Sequence, residues 1–308
     1  MILTVTLNTA LDLTYRVPAL TPHTSHRVTQ VVERPGGKGL NVARVLAALG
    51  HETVATGFAG GPTGADLRAR LAATPVLDEL VETGGPTRRT VAVVDAASGD
   101  TTQLNEPGPT VAPAEWTAFR TRFTALLDGA AAVALCGSLP PGIHVGAYAE
   151  LVRLARAAEV PVLLDTSGEP LRRGIAARPD LVKPNADELA QLTGSRDPLR
   201  ATHEARGRGA RAVVASLGPE GLLAATPEGL WRAIPPAAVK GNPTGAGDSA
   251  VAGLLSGLAD DAPWPERLTR AVALSAATVL SPVAGEFDRA AYEALLPRVK
   301  VTEHSVVP

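Results

Sequence analysis

Short runs of strand-forming residues alternate along this chain with longer segments of helical periodicity, and this alternation limits the folds it can adopt. The clearest β-rich runs are residues 2–7, 90–95, 131–137, 160–165 and 211–217. Between the first two, Asn41 to Leu49 places apolar side chains at i, i+3, i+4 and i+7, and Gly50 follows as a stop. Similar helical patterns cover about residues 114–127, 145–158, 198–208, 246–258 and 265–280. Strands alternating with helices of this length predict an α/β fold with a doubly wound, mostly parallel sheet flanked by helices.

Two stretches interrupt the alternation. Residues 9–34 contain alternating polar and apolar positions, and residues 86–106 have the pattern of a hairpin whose turn is Ala-Ser-Gly-Asp. The two insertions either pair into a small sheet over one end of the main sheet or form two unrelated surface hairpins. Periodicity alone leaves both arrangements open.

Charge and cysteine content exclude several classes of partner and site. The chain has 308 residues with 29 basic and 31 acidic side chains, so it has no global positive field for nucleic acid or an anionic membrane. Its one cysteine, Cys136, cannot form an intrachain disulfide, and its six histidines lack metal-ligand spacing. We find no signal-peptide pattern and no apolar run long enough to span a membrane. These observations predict a cytoplasmic protein with no nucleic-acid or membrane partner.

The segment Gly-Asn-Pro-Thr-Gly-Ala-Gly-Asp, residues 241–248, is the strongest candidate for chemistry because it opens an apolar helix. Small residues let the backbone approach a ligand, and the unpaired amides of a helix N-terminus bind anions, phosphate above all. Asp248 is either a first-turn acid that favours the helix dipole or a general base facing a hydroxyl. In the second case the amides of Gly245, Ala246 and Gly247 hold a transferring phosphoryl group.

A second glycine-rich segment, Arg-Pro-Gly-Gly-Lys-Gly-Leu-Asn, covers residues 34–41 and leads into the helix predicted from Asn41. Its spacing is neither that of a Walker A loop nor that of a dinucleotide-binding GxGxxG motif. Three glycines within four residues, followed by a polar side chain at a helix start, suit close approach to a polar ligand.

In Leu-Val-Lys-Pro-Asn-Ala-Asp-Glu-Leu, residues 181–189, a strand ends and a helix starts. Asn185 and Glu188 either form an ordinary capping box, or act with Lys183 on phosphates and a hydrated Mg²⁺. Two further glycine turns, at residues 137–142 and 216–221, also follow apolar strands. Ligands of open α/β sheets bind outside the carboxyl ends of the strands, so we expect all these loops to meet at one edge.

Together, residues 36–50, 137–142, 181–189, 216–221 and 242–249 resemble the motifs of the ribokinase-like, PfkB-type carbohydrate kinases. The resemblance extends over nearly the whole chain and is strongest to the branch that contains 1-phosphofructokinase and tagatose-6-phosphate kinase. It implies a single kinase domain over residues 1–308, with a small β-sheet lid formed by about residues 9–34 and 86–106. It also implies transfer from ATP with Mg²⁺, and a homodimer formed through the lid.

The resemblance also implies roles for individual residues. Asp248 would be the catalytic base, with Gly245, Ala246 and Gly247 as its anion hole. Lys183, Asn185 and Glu188 would lie in the phosphate and Mg²⁺ region, with the last two holding the metal through water. The nucleotide loop would contain Ser216, Gly218 and Gly221. The sugar would contact Asp12, Gly37, Lys38, Asn41 and Ser138. Its phosphate would contact Arg27 and Arg88.

The expected reaction is therefore phosphorylation of a primary hydroxyl of a ketohexose phosphate, first of all fructose 1-phosphate to fructose 1,6-bisphosphate. Tagatose-6-phosphate kinase and 6-phosphofructokinase are the alternatives, because the near-twofold symmetry of a ketofuranose lets one pocket accept phosphate at either end. A kinase of an unphosphorylated sugar or nucleoside, and a non-catalytic sugar-phosphate sensor, are further alternatives.

Overall fold

A computed structural model describes residues 1–237, 239–281 and 286–304 of the chain. Its large sheet contains ten strands, and a second sheet contains four. The strands of the large sheet are β1 (Ile2–Thr6), β4 (Thr53–Ala59), β5 (Leu77–Glu82), β8 (Ala132–Cys136), β9 (Val162–Asp165), β10 (Leu181–Val182), β11 (Ala212–Ser216), β12 (Leu222–Ala225), β13 (Leu230–Ile234) and β14 (Lys300–His304). The strands of the small sheet are β2 (Ala10–Val17), β3 (Gln30–Gly36), β6 (Arg88–Asp95) and β7 (Thr101–Asn105).

The large sheet confirms the predicted α/β fold. Its order is β14-β13-β12-β11-β10-β9-β8-β1-β4-β5. Every neighbouring pair from β11 to β5 is parallel, whereas β12, β13 and β14 add an antiparallel edge. That edge was not predicted, because its first two strands are short apolar runs separated only by a turn.

Helices cover both faces of this sheet, as a doubly wound fold requires. They are α1 (Lys38–Ala48), α2 (Gly61–Leu71), α3 (Pro113–Leu127), α4 (Ala147–Ala157), α5 (Gly168–Ala176), α6 (Ala186–Thr193), α7 (Pro198–Gly207), α8 (Ala246–Ala259), α9 (Trp264–Val279) and α10 (Arg289–Leu295). One core holds buried side chains of α3 to α7, among them Phe119 and Tyr148, and the other holds those of α1, α8 and α9, among them Leu254 and Leu268. Successive residues of β1 enter different cores: Ile2 packs with α1 and α8, and Leu3 with α3 and α4.

The small sheet joins the two predicted β insertions, so the alternative of two unrelated hairpins is wrong. Strands β6 and β7 form the predicted hairpin, and β2 pairs with β3 antiparallel and with β6 parallel. The action of this sheet as a lid stays a prediction.

Helix α1 begins at Lys38, three residues before the predicted start at Asn41. Gly37, at φ +103°, turns the chain into the helix, and its carbonyl accepts from the Asn41 amide at 3.1 Å. Helices α2, α5 and α10 were not predicted. No helix among the described residues is long and apolar enough to cross a membrane, and the cytoplasmic location stays a prediction.

Candidate active site

The glycine-rich loops lie at one edge of the large sheet. The loops that begin at residues 137, 183 and 217 leave the carboxyl ends of β8, β10 and β11, which run parallel to one another. Strand β13 is reached from β11 through two antiparallel steps, so its carboxyl end, which leads to residues 241–248, points to the same edge. The placement expected from the sequence is confirmed, and it brings most of the candidate residues together.

Asp248 lies in the first turn of α8, and its side chain is directed into the protein. The residue is only 8% exposed, and its Oδ2 accepts a hydrogen bond from Asn41 Nδ2 at 2.8 Å. Burial raises the pKa of Asp248 to about 6, although Lys38, Lys183 and the Asn41 hydrogen bond act in the opposite direction. A buried carboxylate whose pKa is close to neutrality is well suited to accept a proton at physiological pH.

Two lysines share one buried carboxylate next to Asp248. Lys38 Nζ donates to both oxygens of Asp165 at 3.3 and 3.4 Å, and the Lys183 ammonium lies 3.7 Å from Asp165 Oδ1. Asp165 raises the pKa of Lys38 above its usual value against the cost of burial. Lys38 comes from the GGKG segment and Lys183 from the strand end before Pro184, so the cluster joins two loops that were predicted separately.

A cavity of about 460 Å³ adjoins this charge cluster. The predicted nucleotide-loop residues Ser216, Gly218 and Gly221 line it, as do Leu222 and Val279, which supply an apolar wall. Its size and mixed lining are those of a site for a small organic ligand.

The start of α8 forms one wall of the cavity through Ala246 and Gly247. A Cβ at position 247 would lie 3.8 Å from Lys183 Nζ, so no side chain separates the Gly247 backbone from the lysine ammonium. The Ala246 amide donates to the Pro243 carbonyl at 3.1 Å, whereas the Gly245 and Gly247 amides have no acceptor within the described residues. These free donors can receive an anion that enters from the cavity.

Asn185 and Glu188 form the capping box that was one of the two interpretations of their spacing. Asn185 Oδ1 accepts from the Glu188 amide at 2.8 Å, and Glu188 Oε2 accepts from the Asn185 amide at 2.9 Å. Each side chain keeps further lone pairs for water. Across residues 1–237, 239–281 and 286–304 no group of three or more His, Cys, Asp or Glu is arranged to hold a metal ion.

Asp12 lies on β2 of the small sheet and accepts a hydrogen bond from Thr90 Oγ1 on β6. Burial raises the pKa of Asp12, whereas Thr90, Arg44 and Arg88 act to lower it. A Cβ at position 36 would overlap the Asp12 carboxylate, so Gly36 leaves the space that this side chain occupies.

The side chain of Asn8 connects three segments around the predicted sugar position. Asn8 Nδ2 donates to Ser138 Oγ and to the Pro107 carbonyl, both at 3.1 Å. Arg88 Nε donates to the Asn8 carbonyl at 3.3 Å, and Arg88 also donates to the Glu106 carbonyl at 3.1 Å.

Arg27 is the one predicted residue that the structure does not bring to this site. It lies exposed between β2 and β3, and its side chain makes no hydrogen bond or ion pair within the described residues. No hydrogen bond or ion pair within the described residues connects Arg27 with Arg88 or Asp12.

Sequence reasoning missed three residues of the site: Asn8, Arg44 and Asp165. Asp165 ends the buried strand β9, and Asn8 lies two residues after the buried strand β1, both at the carboxyl edge of the large sheet. A polar side chain in this position is a signal that could have identified both residues. Arg44 follows Asn41 by three residues on α1, so the sequence could have predicted that the two residues are neighbours on the helix surface. It could not have predicted the direction in which the Arg44 side chain points.

Comparison with known proteins identifies the family. Residues 4–289 match the model of the pfkB family carbohydrate kinases. The 1-phosphofructokinase of Rhodobacter capsulatus is 40% identical over 289 residues, which cover 91% of this chain and 92% of that protein.

Phosphofructokinase-2 from Escherichia coli has the same fold. Its structure in complex with fructose-6-phosphate superimposes with a TM-score of 0.87 at 33% identity, covering 96% of this chain and 98% of that one. A tetrameric inhibited form of the same enzyme gives a TM-score of 0.89 at 32% identity, with the same coverage. The chain therefore belongs to the pfkB family of carbohydrate kinases.

Proposed function

We propose that this kinase transfers the γ-phosphoryl group of ATP to a primary hydroxyl of fructose 1-phosphate, giving fructose 1,6-bisphosphate. One observation carries the proposal: a buried carboxylate, Asp248, directly follows Gly247 in the wall of the cavity and accepts a hydrogen bond from Asn41, one of the expected sugar contacts. The 40% identity to a 1-phosphofructokinase supports the choice of acceptor.

Fructose 6-phosphate is the second candidate acceptor. The E. coli enzyme that this fold matches was solved in complex with that sugar phosphate. The two acceptors place phosphate at opposite ends of a similar ring, so the same basic groups can serve either one.

Asp248 acts as the general base in this proposal. Asn41 occupies its Oδ2, which leaves Oδ1 to accept the proton of the attacking hydroxyl. The transition state of phosphoryl transfer carries charge on its equatorial oxygens, so positioning and electrostatic stabilisation supply most of the rate. Lys183 and the free amides of Gly245 and Gly247 are the donors next to the cavity that can take this role.

The residues present fit a nucleoside triphosphate with a divalent metal. The apolar wall of the cavity suits a base, and the amides at the start of α8 suit the phosphates. We propose Mg²⁺, held mainly by the phosphates and, through water, by Asn185 and Glu188, which retain lone pairs beyond their capping bonds. When bound, the metal supplies charge neutralisation at the phosphates.

The acceptor contacts proposed are Asp12, Gly37, Lys38, Asn41 and Ser138. Arg88 is the proposed anchor for the acceptor phosphate, because a guanidinium binds phosphate through paired N–H groups. Arg27 is exposed on the connection between β2 and β3, so it could reach the phosphate only if this connection moves inward.

The small sheet acts as a lid in this proposal and also joins two copies of the chain. Val31 and Leu104 on this sheet are 54% and 60% exposed, so contact with a second copy would remove apolar surface from water. Replacing Leu104 by Asp should shift a dimer to monomer in analytical ultracentrifugation. An unchanged sedimentation coefficient would contradict this interface.

ADP release with Mg²⁺ and ATP tests the reaction across fructose 1-phosphate, fructose 6-phosphate, tagatose 6-phosphate and free sugars. We expect the highest kcat/KM with fructose 1-phosphate and no turnover in Asp248→Asn. Higher turnover of a free sugar would refute the phosphate anchor, and a protein that binds a sugar phosphate without ADP release would be a sensor.

The Arg88→Ala variant tests the proposed contact between Arg88 and the acceptor phosphate. It should raise KM for phosphorylated acceptors and leave kcat nearly unchanged, as loss of a uniform binding contact does. Arg89→Ala is the matched control, because Arg89 is the neighbouring residue and pairs with Glu106 at the surface.

A further inference from the structure

Arg44 contacts the amide that holds the proposed base. It lies on α1 and donates from one terminal nitrogen to Asn41 Oδ1 at 3.0 Å, and from the other to the Pro35 carbonyl at 3.2 Å. Asn41 in turn donates from Nδ2 to Asp248 Oδ2 at 2.8 Å. A continuous chain of hydrogen bonds therefore leads from the Pro35 carbonyl on β3, through Arg44 and Asn41, to Asp248.

The chemistry of these groups fixes the direction of the chain. A guanidinium carries donors and no acceptor, so the group that faces Arg44 must be the oxygen of the Asn41 amide. The NH₂ group of Asn41 is then directed to Asp248. Without the arginine, the amide could rotate by half a turn and present its oxygen to Asp248, where only a protonated carboxyl group could donate to it.

We propose that Arg44 is a positioning residue that locks the Asn41 amide so that Asp248 is held in its ionised form. The inference rests on the proposed role of Asp248 as the base. Arg44 itself need not touch substrate, because it acts through Asn41.

The charged groups around Asp248 make this bond important. Burial raises the pKa of Asp248 to about 6, Asp165 adds to the rise, and Lys38, Asn41 and Lys183 oppose it. Among these opposing groups Asn41 is the one in direct hydrogen-bond contact with the carboxylate.

The groups around Arg44 are also charged. Burial and Arg34 lower the pKa of Arg44, whereas Asp12, Glu286 and Asp248 act to raise it, and Arg34 and Glu286 pair with each other. Burial raises the pKa of Asp12 as it does that of Asp248, so a test of Arg44 has to separate its effects on the two carboxylates.

The test is the pH dependence of kcat with fructose 1-phosphate and MgATP. Arg44→Met should move the acid limb upward by about one pH unit, since a hydrogen bond to an ionised group is worth at least about tenfold in equilibrium. KM for ATP should not change. Arg44→Lys keeps a donor that can reach Asn41, so it should retain most of the parent acid limb. Arg44→Leu, which also lacks a donor, replaces Arg44→Met if that variant does not fold.

A double-variant cycle separates positioning through Asn41 from a general effect of charge and from an effect through Asp12. In an Asn41→Ala background Arg44→Met should move the acid limb by less than a third of its single-variant shift, because the two residues act in series.

Arg70→Met is the matched control for the loss of an arginine at the small sheet. Arg70 on α2 donates to the carbonyl of Glu33 on β3 at 3.3 Å and makes no contact with Asn41. We expect Arg70→Met to leave the acid limb where it is.

Three results overturn the inference. They are an unmoved acid limb in folded Arg44→Met, an equal shift in the presence and absence of Asn41, and an equal shift in Arg70→Met. Asp248→Asn distinguishes a failure of the base assignment, because retained turnover in that variant would refute Asp248 as the base. Lost turnover in Asp248→Asn together with an unmoved limb in Arg44→Met refutes the positioning role alone.

Discussion

Replacing Asp165 by Asn removes the negative charge that two lysines share, and the structure indicates which lysine bears the cost. Asp165 has a side chain only 1% exposed, and it lies 3.3 Å from Lys38 and 3.7 Å from Lys183. The Lys38 side chain is 39% exposed and can be solvated, but that of Lys183 is 4% exposed. The destabilisation therefore arises at Lys183, whose ammonium stays buried without its nearest counter-charge.

Removing one partner of a buried ion pair costs about 3–5 kcal/mol. The 3.7 Å separation between Lys183 and Asp165 is longer than a hydrogen bond, so we take the lower limit of about 3 kcal/mol. At roughly 2 °C per kcal/mol for a chain of this size, the variant should melt about 6 °C lower.

Urea unfolding of Asp165→Asn, alone and combined with Lys183→Met, measures this free energy directly. The double variant should recover most of the loss, because it removes the buried charge that Asp165 balances. Asp66→Asn breaks an exposed pair with Arg70 and should cost less than about 1 kcal/mol. The reasoning fails if Asp165→Asn costs no more than Asp66→Asn, or if adding Lys183→Met destabilises the protein further.

Three further predictions concern the buried carboxylates of Asp12 and Asp248. Gly36→Ala should displace the Asp12 carboxylate and raise KM for the sugar phosphate by about tenfold without changing KM for ATP; an unchanged sugar KM would contradict the role of Asp12. Because burial raises the pKa of Asp248 to about 6, kcat should fall as the pH is lowered through 6, and full activity at pH 5 would argue against this base. Asp248→Asn should lose turnover yet melt at a higher temperature than the parent at pH 8, where the folded state must carry an ionised, buried carboxylate. This gain should disappear below about pH 4, where the carboxyl group is protonated in both states, and a gain that persists there would refute the explanation.

Local patterns predicted the parts of the fold that depend on local chemistry. The alternation of strands and helices, the β6–β7 hairpin and the capping box of Asn185 and Glu188 are all confirmed. The antiparallel edge was missed because β12 and β13 are short apolar runs and because β14 lies about 65 residues after its partner β13. Helix α5 was missed because Gly168, Pro170 and Gly174 give it the composition of a loop.

The candidate site was predicted loop by loop, but its charge balance was not. The Lys38–Asp165 contact joins residues 127 positions apart, and no local pattern contains it. The orientation of Arg44 depends on the carbonyl of Pro35, which is placed by the small sheet. Interactions of this kind follow from tertiary packing, so they became visible only in the structure.

The concentration of the proposed chemistry at one edge of the large sheet leaves the opposite edge available for protein engineering. The turn between α3 and β8 lies at that opposite edge, and at its centre Gly129 has φ +80°, with no atom beyond its two chain neighbours within 4 Å of the position that a Cβ would occupy. A reporter domain inserted there would be far from every residue assigned to the nucleotide or the sugar. Because β8 leads directly from this turn to the Ser138 loop, such a fusion could convert sugar binding into an optical signal.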